Sequence, residues 1–197
     1  MKSVLISIKP KYCELIANGT KTVEVRKTKP KLETPFKCYI YETKEKAYED
    51  IGICGRTKDG TRYNFVHRIG KVIGEFVCDK TDFFFAYYYD NGSADLTPSR
   101  LISGLGNANS ELAYLNKCCL THDQLFNYII SEKYGYDWHI SDLTIYDKPK
   151  EFSEFKRWNR TEKNSPCAHT KQLYGDCKNC NSCNLTRPPQ SWCYVEE

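Results

Sequence analysis

The sequence predicts an α+β fold, a small β-barrel with helices packed on it, and three observations lead there. Six or so short apolar or alternating runs of strand length are separated by Gly, Pro and Asn turns. Fifteen tyrosines and nine phenylalanines favour a pleated surface, on which flat side chains pack best. The helical stretches are few and do not alternate regularly with the strands, which disfavours a doubly wound sheet. With 197 residues, 40 % of them hydrophobic, the chain fits one domain with insertions.

Val4 to Ile8 is an apolar strand stopped by Pro10, a residue suited to the first turn of a helix because its missing N–H has no partner there anyway. Tyr12, Leu15 and Ile16 form the apolar stripe of that helix, and Asn18-Gly19 closes it. Lys21 to Arg26 alternates valine with charge and reads as a second strand, with Lys21, Val23 and Val25 on one face and Glu24 and Arg26 on the other. Cys38 to Tyr41 is a third strand, following a loop stiffened by Pro30 and Pro35. Residues 44–67 are polar and read as a hairpin or a loop with a short helix.

Lys71 to Cys78 is a strand apolar on both faces. Phe83 to Tyr89, six aromatics in seven residues, fits a core strand, an aromatic-packed loop or a stacking platform for bases. Gly104 and Gly106 lack the third glycine of a dinucleotide loop. Thr121 and Gln124 have capping-box spacing and open a helix whose face carries Leu125, Tyr128 and Ile129, with Gly135 just beyond its end. Trp138 to Tyr146 is a strand ended by Lys148-Pro149. Phe152 to Phe155 is a short element, and Ser191 to Val195 is the last strand.

The formal net charge is +4, yet residues 1 to 30 hold seven basic side chains against two acidic ones. Such a face attracts a polyanion, in a salt-dependent way, although a solvated lysine-rich surface has the same composition. No apolar run near Met1 is long enough for a signal peptide or a membrane span, so the expected compartment is a reducing cytoplasm. Among eleven cysteines there, Cys13, Cys38, Cys54, Cys78, Cys118 and Cys119 are expected to be small buried hydrophobes. Cys177, Cys180 and Cys183 have C-x2-C-x2-C spacing, and with Cys167 or His169 they can enclose one structural zinc in an insertion at about 164–186. An iron–sulfur cluster competes, but the next cysteine of a ferredoxin run would fall at Arg187.

Chemistry is expected around the second strand. A lysine at the end of a buried valine row can act as base, nucleophile or anion anchor, and a paired arginine suits phosphate or a base edge. The same spacing also fits a routine strand-surface pair. Gly19-Thr20-Lys21-Thr22-Val23-Glu24-Val25-Arg26 resembles the G-x-K-x-x-E-x-R motif of the ASCH domains, a family with the PUA-like β-barrel fold. The strand and proline before it, Gly74-Glu75, and the tail from Pro189 to Glu197 resemble ASCH proteins found in phage and prophage genomes.

The resemblance implies a single ASCH domain over residues 1–197, with a cleft lined by Lys21, Glu24 and Arg26. Trp192, a large aromatic near the chain end, either lines that cleft and stacks on a base or packs in the core. It implies RNA or a modified nucleotide or nucleoside as ligand. Some members are amidohydrolases that remove acyl groups from N4-acylated cytidine, and others are ribonucleases; in that case Lys21 and Glu75 would be the catalytic pair, Glu75 relaying a proton. The hydrolase type carries a hydroxyl residue where this chain has Glu24. RNA or nucleotide binding is therefore the first reading, with a hydrolase and a phage-encoded protein-binding module as alternatives. No membrane partner is expected.

Overall fold

The computed structural model describes residues 2–48, 51–57, 60–89, 99–103, 108–158 and 185–196. In chain order these form β1 (Lys2–Ile8), α1 (Pro10–Ala17), β2 (Val23–Arg26), β3 (Phe36–Glu42), β4 (Gly52–Arg56), β5 (Arg62–Val66), β6 (Val72–Tyr89), β7 (Ser99–Ser103), α2 (Ala108–Cys118), α3 (His122–Ile129), β8 (Tyr134–Lys150), β9 (Lys156–Arg157) and β10 (Trp192–Glu196). Short 3-10 turns occupy Lys46–Tyr48 and Phe152–Glu154. The zinc ligands expected at Cys167, His169, Cys177, Cys180 and Cys183 lie outside the described residues, as do Gly104 and Gly106.

One mixed sheet carries the structure, in the order β2-β8-β6-β3-β1-β10-β9, with β7 added to β6. Among the described strands only β1 and β3 run parallel. The expected closed barrel is not formed among the described residues: β2 and β9, the two ends of the path, do not pair. Both end strands are very short, and the entry to β2 is capped from outside, because the Lys117 carbonyl at the end of α2 accepts from Thr22 N–H at 2.9 Å. An edge blunted in this way needs no strand partner.

Side-chain alternation distributes the sheet between three apolar clusters. Val4, Ile6 and Ile8 of β1 join Cys38, Ile40, Phe76, Cys78, Trp138 and the buried Cys13 and Ile16 of α1. Leu5 points the other way, to Tyr39, Tyr41, Phe155, Leu185 and Val195. Val23 and Val25 of β2 pack with Phe84, Ala86, Leu125, Phe126 and Ile129, so α2 and α3 cover that face.

Two elements differ from expectation in extent. The runs at 71–78 and 83–89 are one 18-residue strand, because β6 passes its charged middle, Asp79 to Asp82, by shifting register against β8 between Cys78 and Thr81. β8 starts at Tyr134 and continues through Pro149. Gly135 is therefore a strand residue and not a helix terminator; the left-handed position after α3 is taken by Lys133, at φ 65°. A Cβ at Gly135 would stand 2.8 Å from the Phe84 ring. The polar segment at 44–67 is a 3-10 turn plus the β4-β5 hairpin, as read. Cys54, expected to be buried, is exposed there because the hairpin forms its own two-stranded sheet; Cys119 is half-exposed in the α2-α3 loop.

Candidate functional site

Lys21, Glu24 and Arg26 converge. Glu24 Oε2 lies 3.3 Å from Lys21 Nζ and Glu24 Oε1 lies 3.0 Å from Arg26 Nη2, with side chains only 2, 9 and 10 % exposed for Lys21, Glu24 and Arg26 respectively. This corrects the expected split of the motif over two faces: β2 begins at Val23, so Lys21 lies in the bend before the strand and alternation does not govern it. Glu24 and Arg26 turn away from the valines as alternation requires, and the bend brings Lys21 to them.

The ammonium of Lys21 has three N–H donors. They are matched by three acceptors, the carbonyls of Val23 at 2.8 Å and Cys118 at 2.7 Å, and Glu24. Lys21 therefore fastens β2 to the end of α2 and sets the Glu24 carboxylate in place. Arg26 Nη2 donates to the Ser7 carbonyl at 2.6 Å, which ties the end strand of the sheet back to central β1. Arg26 Nε is buried with no partner among the described residues. A guanidinium has five donors in a fixed fork, so Arg26 keeps donors in reserve.

These residues line a cavity of about 430 Å³. Its walls come from the end of β1 with Ser7, Ile8 and Lys9, from Tyr12 of α1, from the motif, from Thr43, from Leu120, Gln124 and Tyr128 around α3, and from Gln190 and Ser191. Each contributor has a local cause. Pro10 at the first position of α1 turns the chain sharply after β1, and Gly19, at φ 74°, turns it back into the motif. The N-terminus of α3 is fixed by a full capping box, with Gln124 N–H donating to Thr121 Oγ1 at 3.2 Å and Thr121 N–H to Gln124 Oε1 at 3.0 Å. Tyr12 has Lys21 Nζ 5.2 Å from its ring centroid, within cation–π range. Burial, then the charge of Glu24, raises the Tyr12 phenol above its ordinary value, so its hydroxyl stays protonated as a donor and acceptor.

Other expected site residues lie elsewhere. Glu75 on β6 does not line the cavity: its carboxylate takes Lys37 Nζ at 3.1 Å and the Tyr146 hydroxyl. Burial pushes the Glu75 carboxyl up, but the Tyr146 and Lys37 hydrogen bonds and the charges of Lys37 and Lys150 outweigh it and leave the group below its ordinary value. Trp192 adjoins the site through Ser191, but its indole packs against Trp138 and Tyr194 and donates to Thr28 Oγ1 at 3.0 Å. Trp138 is fully buried.

Sequence reasoning missed Ser7, Gln124 and Gln190 as cavity residues, because no local pattern reports which loops a curled sheet gathers. It also missed a sealed pair, His67 Nδ1 on Glu42, both completely buried. Burial raises the Glu42 carboxyl, although His67 and the Arg68 N–H at 2.6 Å bond to it. The pair fastens the residue after β5 to the end of β3 and lies outside the cavity. Among the described residues one group has ligand atoms close enough together for a cation, Asp82, Asp137 and His139, on the sheet face opposite to Glu24; Lys80 already pairs with Asp82.

Residues 6–80 match the family model of the ASCH domain. Over that stretch the chain is similar to an ASCH domain. The matched span holds the end of β1, α1, the Lys21-Glu24-Arg26 motif and β3, so most of the cavity wall belongs to it; α3 and the Gln190-Ser191 segment lie beyond it. Among solved structures, the ASCH protein from Zymomonas mobilis aligns over 99 % of this chain and 88 % of its own, with a TM-score of 0.52 at 16 % identity. A serine-to-alanine mutant of that Zymomonas mobilis protein gives 0.51 at 14 % identity over 99 % and 89 %. These likenesses show that the described residues share the PUA-like fold of those proteins. No curated protein sequence matches significantly. No helix among the described residues is long and apolar enough to cross a membrane.

Proposed function

We propose that the ASCH cleft binds RNA through a nucleotide or modified nucleoside held against the Lys21-Glu24-Arg26 triad. The observation that carries this is a buried arginine with an unpartnered Nε on the wall of a cavity of about 430 Å³. That volume is within the range of small-molecule sites. Arg26 donates to a phosphate or a base edge, for which a forked donor is well shaped. Glu24 spends one contact on each cation and keeps acceptor capacity for an exocyclic amine or a ribose hydroxyl. Lys21 positions Glu24, and the rings of Tyr12 and Tyr128 flank the ligand. The basic balance of residues 1 to 30 draws the polyanion in.

The hydrolase reading asks for Lys21 and Glu75 to act together, and Glu75 is held by Lys37 and Tyr146 away from the cavity lining. Binding is therefore preferred to turnover. The test is titration with the four ribonucleoside 5′-monophosphates and with N4-acetylcytidine, for wild type and Arg26→Lys. Saturable binding without turnover, weakened about ten-fold or more in the variant, supports the proposal. Release of acetate from N4-acetylcytidine sinks it in favour of the hydrolase. The zinc at Cys177, Cys180, Cys183 and Cys167 or His169 is proposed on their spacing, as a staple for that segment and not as part of the cleft.

A further inference from the structure

β6 presents an exposed aromatic stripe that the cleft does not use. Phe84 and Ala86 are buried under the helices, at 1 % exposure each, whereas Phe83 and Phe85 are 57 and 47 % exposed. Large apolar side chains standing contiguously in solvent mark interaction surfaces. Phe83 and Phe85 are not isolated. Their rings are 5.2 Å apart, centroid to centroid, and directly across the sheet from them stand Tyr136 and Tyr134, whose own rings are 5.9 Å apart.

The register fixes where this platform lies relative to the cleft. Arg26 of β2 is opposite Tyr136 of β8, and Tyr136 is opposite Phe83 of β6. Residues directly opposite in a sheet project on the same side. The face bearing Glu24 and Arg26 therefore runs on, strand by strand, into Tyr136, Phe83, Phe85 and Tyr134. The charge of that face is complementary to a phosphate chain: Lys29 Nζ stands 5.4 Å from the Tyr136 ring centroid, and Glu24, the motif's acidic member, is already paired with two cations.

Resting on the cleft reading above, we infer that this stripe is a stacking platform for single-stranded RNA, on which the nucleotides adjoining the one held in the cleft lay their bases. Aromatic faces accept any base, and phosphates beside them follow the basic side chains. Bases in a duplex are stacked among themselves and cannot lie on Phe83 or Phe85, so the platform selects single strands. Continuity with the cleft and the cationic flank favour RNA over a protein partner or a second copy of this chain.

The experiment compares wild type with Phe83→Ser/Phe85→Ser, two exposed positions whose loss empties no core. The ligands are a labelled ten-nucleotide oligouridylate, the same length as duplex RNA, and the uridine 5′-monophosphate that occupies only the cleft. The expected result is a loss of about ten-fold or more for the single strand, little changed between low and high salt, with monophosphate and duplex affinities unaltered. Equal affinity of wild type and variant for the single strand overturns the platform while leaving the cleft intact, provided the monophosphate still binds. If wild type binds neither the single strand nor any of the four ribonucleoside 5′-monophosphates, the cleft reading fails and the platform with it. Sedimentation of both proteins is the remaining arm: a wild-type dimer that becomes monomeric in the variant assigns the stripe to a second copy and overturns the inference.

Discussion

Replacing Glu24 by Ala removes the carboxylate that two buried cations share. Lys21 and Arg26 are 2 and 10 % exposed at their side chains and lie 3.3 and 3.0 Å from it, so neither can turn out to water without disturbing β2. Deleting one partner of a buried ionic group costs about 3–5 kcal/mol, because the remaining charge is left uncompensated. The carbonyls of Val23, Cys118 and Ser7 still receive N–H donors in the variant, which places the expected loss at the lower end, about 3 kcal/mol. For a chain of this size that is a drop in Tm of about 6–12 °C. Urea unfolding followed by the fluorescence of buried Trp138 measures it, with an unchanged slope against denaturant expected because the folded state stays compact. Glu24→Gln, which keeps the shape and one acceptor, loses less. Because the pair is buried, the difference from wild type barely changes with ionic strength. A loss under about 1 kcal/mol, or one abolished by salt, would show a solvated surface pair and refute the triad as drawn.

Three further outcomes follow from particular contacts. Glu75 has a folded-state carboxyl below its ordinary value of 4.5, so its contribution is complete above that value and disappears as pH falls through the lowered one. Glu75→Gln is thus expected to cost about 1 kcal/mol at pH 7, discounted for the half-exposed Lys37, with the gap from wild type closing in acid; a gap that persists at the lowest pH contradicts the ionic account. Gly135→Ala sets a methyl group 2.8 Å from the Phe84 ring and 3.0 Å from Ile129 Cγ2, which predicts a destabilisation of about 1–3 kcal/mol by denaturation, and a neutral substitution would mean that this face packs loosely. Elemental analysis of the purified chain is expected to give one zinc per molecule, whereas metal-free protein with all eleven thiols titratable removes the zinc proposal.

How much the sequence disclosed depended on whether a feature was local. Pro10, the apolar stripe and Asn18-Gly19 define α1 because its start, face and end are all written within ten residues, and Thr121 with Gln124 announces α3 for the same reason. The motif strand was legible in kind but not in its start. Beginning at Val23 and not at Lys21, it leaves the lysine free to fold back on Glu24, a two-residue difference that turns two separate faces into one charged cluster. The unity of β6 was hidden because Asp79, Lys80 and Asp82 interrupt the apolar pattern, and only pairing with β8 shows that the strand continues. α2 went unread, having a weak apolar face in Ala108–Cys118. Partners distant in sequence were not legible at all: Cys118 on Lys21, Ser7 on Arg26, and Lys37 and Tyr146 on Glu75 are products of sheet order.

The sheet order also explains the site. Among the described residues the path is open, and its first strand, fastened across to β1 by Arg26, borders the cavity. The same charges that hold this strand are those the proposed binding would use. On that proposal stability and binding are coupled: a ligand held in the cleft would raise the apparent stability with the logarithm of its concentration above Kd.

The measurement that tests this most directly is calorimetric titration of wild type and Arg26→Lys with each of the four ribonucleoside 5′-monophosphates, both proteins first shown to be folded by their melting curves. A nucleotide-binding ASCH cleft predicts one site per chain in wild type for at least one of the four, and about ten-fold or weaker affinity in the variant. No saturable binding by wild type, or equal affinity in the two proteins, contradicts it.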